Sequence, residues 1–272
     1  MRASPFLKYR KSFTTGLKAS VEYRFNFFLS LAGAVSPVVI QTALWIVLYQ
    51  GGGEGDALFG FTFTQMIAWT VIAQLVSRLV RTGFEYEVNS DIKSGSLDRY
   101  LVKPVSYFGY RLFSFLGDKA AQSLFSCVLL AAAVAVLGTV TGFAVTGRNA
   151  ALFSGALVLA FVLNFLLFWC VGLAGFWLTE IGFLFEAVRI VIIAASGGIF
   201  PLSVFGPEGE RILSLLPFRY TIQFPADLLA GRIPESLILR QFALAVFWIA
   251  VLTIAARFVW KRGIRRFAAV GS

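Results

Sequence analysis

Apolar runs of about 20 residues or more recur along this 272-residue chain. That is the length a helix needs to cross the roughly 30 Å hydrocarbon core of a bilayer. A membrane β-barrel would instead show alternating segments of about 10 residues, and residues 25–49 do not alternate. Composition agrees: 58% of residues are hydrophobic and 14% charged, against roughly 45–50% and about 25% in an average soluble domain. The chain reads as an all-α polytopic membrane protein.

Six transmembrane helices are predicted, over about 25–49, 61–80, 112–137, 150–178, 183–200 and 237–259. Pro37 falls inside the first, where neighbouring helices can satisfy the carbonyl it frees. Residues 5–24 interleave Phe6, Leu7, Phe13, Leu17 and Val21 with Lys8, Arg10, Lys11 and Lys18. This fits an amphipathic interfacial helix, with a disordered basic tail as the alternative. The apolar stretch that follows is too long for a signal-peptide core and has no A-x-A-like site, so it is expected to be retained.

Lysine and arginine set the orientation, because they concentrate in cytoplasmic flanks. Six precede the first span: Arg2, Lys8, Arg10, Lys11, Lys18 and Arg24. Arg81, Lys93, Arg99, Lys103 and Arg111 lie between spans two and three, and Lys261, Arg262, Arg265 and Arg266 follow span six. The loop between spans one and two has none. Both termini are therefore expected in the cytoplasm. The same distribution accounts for the net charge of +10 without nucleic acid, since no soluble face collects it.

Several chemistries lack their residues. Histidine is absent, which removes the commonest general base and metal ligand. Cys127 and Cys170 both lie in apolar spans, so neither a disulfide framework nor a metal site is expected. No G-x-x-x-x-G-K-[ST] loop, G-x-G-x-x-G or G-x-S-x-G occurs. The six tryptophans fall mostly near span ends and read as an interfacial aromatic belt.

Two segments stand apart. Residues 201–236 carry prolines at 201, 207, 217, 225 and 234, with apolar pieces between them too short to cross a bilayer. They predict broken or re-entrant outer helices before span six, which need protein or a cavity around them. The other segment, DIKSGSLDRYLVKP at 91–104, holds five charges between two apolar stretches. It divides into an extension of span two over 85–93 and a short helix over 97–103. Ser96 is placed as N-cap, and Pro104 stops the helix. Leu97 and Leu101 share one face at i, i+4, so an exposed apolar knob among charges is expected, with an ordinary interfacial turn as the alternative. Glu180, Glu186 and Arg189 flank the turn before span five. Glu186 and Arg189 at i, i+3 read either as a pathway or gating pair or as charges marking a span boundary.

The pattern IKSGSLDRYLVKPVSY resembles the segment after the second span of ABC-2 type exporter permeases. LPFRYTIQFPADLLAGRI is similar to the outer segment before that family's last span, and the layout of spans agrees. The resemblance implies that residues 1–272 are one transmembrane permease domain in a prokaryotic cytoplasmic membrane. It would pair with a second permease copy or paralogue and with ATP-binding subunits, which would hold ATP and Mg; no cofactor or metal is implied in this chain. Such a permease exports a lipid-linked, glycan or hydrophobic compound and is not itself an enzyme. Residues 85–104 would be the cytoplasmic coupling helix region touching the ATPase, with Glu85, Glu87, Asp91, Ile92, Gly95, Leu97, Asp98, Arg99, Leu101 and Pro104 as its residues. Pro201, Pro217, Arg219 and Pro225 would shape the outer re-entrant segment. The rival classes are an ion-coupled secondary transporter, which needs ionisable residues at mid-span, a membrane-embedded enzyme, which needs clustered His, Asp or Glu, and a structural subunit.

Overall fold

A computed structural model of the chain describes residues 10, 13–15, 17, 24–50, 57–102, 106–141, 145–178 and 182–270. Ten α-helices follow one another among these residues: α1 (Arg24–Gln50), α2 (Phe63–Val80), α3 (Phe84–Lys93), α4 (Asp98–Leu101), α5 (Tyr107–Thr141), α6 (Gly147–Leu173), α7 (Gly182–Ala195), α8 (Gly206–Leu215), α9 (Gln223–Leu229) and α10 (Glu235–Val270). Of the described residues only Leu58 and Phe61 make a β-bridge, and it is isolated. Three helical stretches, Phe63–Lys93, Gly147–Phe176 and Glu235–Phe267, are long and apolar enough to cross a membrane. Val35–Gln50 and Ser126–Thr139 are shorter apolar stretches. Most of the expected N-terminal amphipathic helix lies outside the described residues.

Local chemistry explains the helix starts. Thr62 and Gln65 form a reciprocal capping box at α2, satisfying two amides that would otherwise lack partners. Thr146 does the same singly for α6, its hydroxyl accepting from the Asn149 amide at 3.2 Å. α6 then runs through the middle of the molecule. It is the most apolar of the three spanning stretches, and it packs against α3, α9 and α10. A helix apolar all round belongs in such a place.

Where observed helices differ from the expected spans, the cause is local. α5 and α10 overrun expectation at both ends. No proline interrupts these overruns, and Gly263 is the only glycine in the C-terminal overrun of α10. α7 is shorter than the expected 183–200: it stops at Ala195, before Ser196-Gly197-Gly198. At 1.5 Å per residue its 14 residues span only about 21 Å. The helix expected over 97–103 is reduced to the four residues of α4.

Residues 201–236 form a 3₁₀ turn (Leu202–Phe205), α8, a second 3₁₀ turn (Pro217–Thr221) and α9. Prolines sit where these pieces start: Pro201 precedes the first turn, Pro207 and Pro217 occupy first-turn positions, and Pro225 lies in the first turn of α9. Their missing N–H groups cost nothing there. Every residue of α9 is buried.

The aromatic belt needs correction. Trp45, Trp69 and Trp169 are each 1% exposed. Their ring N–H groups explain two of the positions: Trp45 donates to Thr70 Oγ1 at 3.0 Å, and Trp69 to Asp227 Oδ1 at 2.9 Å. A buried indole needs such a partner.

Candidate functional site

α3 turns away from α2 at Arg81-Thr82-Gly83 and lies against α6 and the 3₁₀ turn Ala174–Phe176. Phe84, Val88 and Ile92, at i, i+4 and i+8, form its buried stripe. Two glycines let it approach. A Cβ on Gly172 would sit 3.2 Å from Val88 Cβ and 3.3 Å from Glu85 Cα. One on Gly175 would sit 2.7 Å from Asn89 Oδ1.

Beside that stripe α3 buries a charge. Glu85 is 0% exposed, and its Oε1 accepts from Nη2 of Arg189 on α7. A buried carboxylate survives only with a partner, since desolvating one ion costs several kcal/mol. Arg189 also lies 5.4 Å from the Tyr86 ring centroid and 5.8 Å from that of Phe168. Tyr86 donates its hydroxyl to Glu186 Oε1. Glu186 and Arg189 therefore each reach across to α3 in place of the expected pairing along their own helix.

A second arginine holds the opposite side. Arg111, from α5, binds Glu87 through Nη1 and Asp91 through Nη2, while its Nε donates to the Tyr107 hydroxyl at 3.0 Å. Tyr107 in turn donates to Asp91 Oδ2 at 2.6 Å. The i, i+4 spacing of Glu87 and Asp91 puts two carboxylates on one face of α3, a spacing the planar guanidinium fork can bridge. In the sequence Arg111 counts only toward orientation. The paired carboxylates signalled that a cation faces them, but nothing in the chain order says which.

The Ser94-Gly95-Ser96 turn completes the site. Gly95 has φ 72°, a conformation open to glycine at little cost. Ser96 is not the N-cap. Its hydroxyl donates to Asp91 Oδ1 at 3.0 Å, and Leu97 occupies the cap position without a side-chain bond. The exposed knob is corrected too: Leu97 is 0% exposed, packed in one cluster with Ile92 and Tyr107. The turn folds back on α3, so the leucine meets the apolar stripe instead of solvent. What faces outward is Lys93, Asp98, Arg99 and Val102, the last 84% exposed. Tyr100 packs against Tyr107 and Tyr110, and burial pushes its phenol above the ordinary range. The Leu101 side chain, Pro104 and Glu180 lie outside the described residues.

The broken segment before α10 has its own charged centre. Asp227 is buried, takes the Trp69 bond and faces Arg219 Nη2 at 3.7 Å. Arg219 also donates to Ser214. This ties α9 to α2 and to the end of α8, with Pro217 and Pro225 setting the turns between.

Three helical stretches long and apolar enough to cross a membrane, one of them a hub for the others, mark a multi-pass helical membrane protein. A family model described as ABC-2 family transporter protein matches residues 35–271, and the chain belongs to that family. It is thus a membrane permease of an ABC transporter, a transport subunit whose family works with an ATP-binding partner. No curated protein and no solved structure matches the chain.

Proposed function

We propose that the protein is the six-span permease of an exporter, with both termini in the cytoplasm, and that α3, the Ser-Gly-Ser turn and α4 receive the force of ATP hydrolysis from a separate subunit. One observation carries this reading: α3 is fastened from two sides by arginines of two different helices, Arg189 on α7 and Arg111 on α5. A segment that receives a push must be stiff and joined to what it moves, because coupling travels through packed and bonded elements with discrete arrangements. α3 meets both conditions, and beyond it Asp98, Arg99 and Val102 stand exposed as a contact surface.

In this reading two permease copies, or one copy and a paralogue, assemble with two ATPases in a prokaryotic cytoplasmic membrane. ATP and Mg stay with the ATPases. α3 relays motion to α5 and α7, and α7 leads through Ser196-Gly197-Gly198 into the broken outer segment. The cargo is a lipid-linked, glycan or hydrophobic compound. The test is co-purification of the ATPase with the permease after Arg99→Glu and Val102→Asp together. Loss of the ATPase from a normally inserted permease is expected. Undiminished recovery overturns the assignment of this surface.

A further inference from the structure

One face of α10 is hollow. Thr253, Ala256, Arg257 and Trp260 fall at i, i+3, i+4 and i+7 and so form a single stripe. The two small residues within it leave a cavity of about 490 Å³ against Leu166 and Trp169 of α6 and Tyr107 and Phe108 of α5. That size falls within the range of small-molecule sites. Its wall is built of rings in contact. Tyr107 stacks on Trp260 with centroids 5.6 Å apart and planes at 17°, and Phe108 stands edge-on to Trp169 at 5.1 Å.

The polar content of this cavity is one-sided. No acidic residue lines it among the described residues. Tyr100 and Ser106 also line it, and each wall hydroxyl has a protein partner: Tyr100 bonds Tyr110, Ser106 Oγ accepts from the Gly109 amide, Tyr107 donates to Asp91, and Thr253 donates to the Ile249 carbonyl. Arg257 is exposed and has no ion-pair partner among the described residues. An apolar, ring-lined hollow with one unopposed cation at its edge suits an apolar chain ending in a single acidic group. Two further facts select the source. The apolar part of α10 is only 11% buried, with Ile254 and Phe258 exposed next to the hollow, so bilayer lipid has access. Arg257 also lies one turn before Lys261 and Arg262, at the level where an apolar helix meets headgroups and where tryptophan and tyrosine settle.

We propose that this cavity holds an acyl chain of an anionic phospholipid, with its phosphate on Arg257. The inference rests on the membrane placement alone and stands whether or not the ATPase contact is assigned correctly.

Tryptophan fluorescence tests it, because Trp169 and Trp260 line the hollow. The full chain is reconstituted in phosphatidylcholine vesicles containing an equal small fraction of either brominated phosphatidylcholine or brominated phosphatidylglycerol. Quenching per brominated lipid is expected to be about fivefold stronger for phosphatidylglycerol, the ratio one surface arginine contributes to anionic-lipid binding. Arg257→Gln should bring the ratio near one, and so should Ala256→Phe, which fills the hollow and leaves the charge. Equal quenching in the unaltered chain overturns the proposal. A preference that survives both variants overturns it as well, by assigning the effect to the basic tail. Arg257 is exposed, so its variant tests the site even if Ala256→Phe fails to fold.

Discussion

Glu85 and Arg189 lie 104 residues apart in the chain and meet in an ion pair that buries both. The contact is single-pronged. Glu85 Oε2 and Arg189 Nε are also buried, and neither has a hydrogen-bond partner among the described residues. A two-pronged contact would be the stronger arrangement for arginine and carboxylate. The contact between α3 and α7 therefore keeps one buried acceptor and one buried donor outside the bond that joins them.

Removing one member leaves the other charge buried alone. Glu85→Gln or Arg189→Gln should each cost about 3–5 kcal/mol of stability. The double variant should cost less than the sum, because neither charge is then stranded. Thermal unfolding in detergent measures this, and strictly additive losses would contradict a coupled pair.

Arg111→Lys should loosen α3 although charge is kept. A lysine offers a point charge where the guanidinium fork holds Glu87, Asp91 and the Tyr107 hydroxyl together. In a background lacking Cys127 and Cys170, Ile92→Cys should be protected from alkylation while Arg111 is present and labelled faster once Arg111→Lys is added. Equal labelling rates would show that Arg111 does not hold α3 down.

The glycine contacts give a steric test. Gly175→Val should push Asn89 and α3 off the 3₁₀ turn, at the roughly 1–3 kcal/mol typical of overpacking. Trypsin should then cut at the exposed Lys93 and Arg99 sooner than in the unaltered chain. Unchanged digestion would mean that the close approach has no part in holding the segment.

Trp69→Phe should destabilise the broken segment by about 1–3 kcal/mol, since it takes the indole donor from the buried Asp227. Adding Asp227→Leu should not recover that loss, because it would leave the largely buried Arg219 without its carboxylate. If the single variant unfolds like the unaltered chain, the Trp69–Asp227 bond is not what ties α9 to α2.

The apolar helices were legible because periodicity and run length act within one segment. The starts of α8 and α9 were legible through their prolines for the same reason. Partners across the chain were not. Leu97 looked like an exposed knob because sequence shows its neighbours along the chain, whereas the Gly95 turn decides which way it points. Glu186 and Arg189 looked like partners because i, i+3 spacing is local, and each found a better one on α3. The tryptophans misled through composition: a belt reading suits an average indole, but the Trp69 ring answers to Asp227, 158 residues away.

α10 has a consequence beyond its apolar span. Its 36 residues form one unbroken helix, about 54 Å long at 1.5 Å per residue and longer than the roughly 30 Å apolar core. The basic stretch at 261–266 is thus not a loose tether. It is the continuation of a rod, and each of its charges has a fixed azimuth relative to Arg257 and Trp260. Inserting one residue between Trp260 and Lys261 would swing every later charge by about 100° about the axis and leave composition almost unchanged. Such an insertion would change which side of the rod the charges face while leaving their number the same.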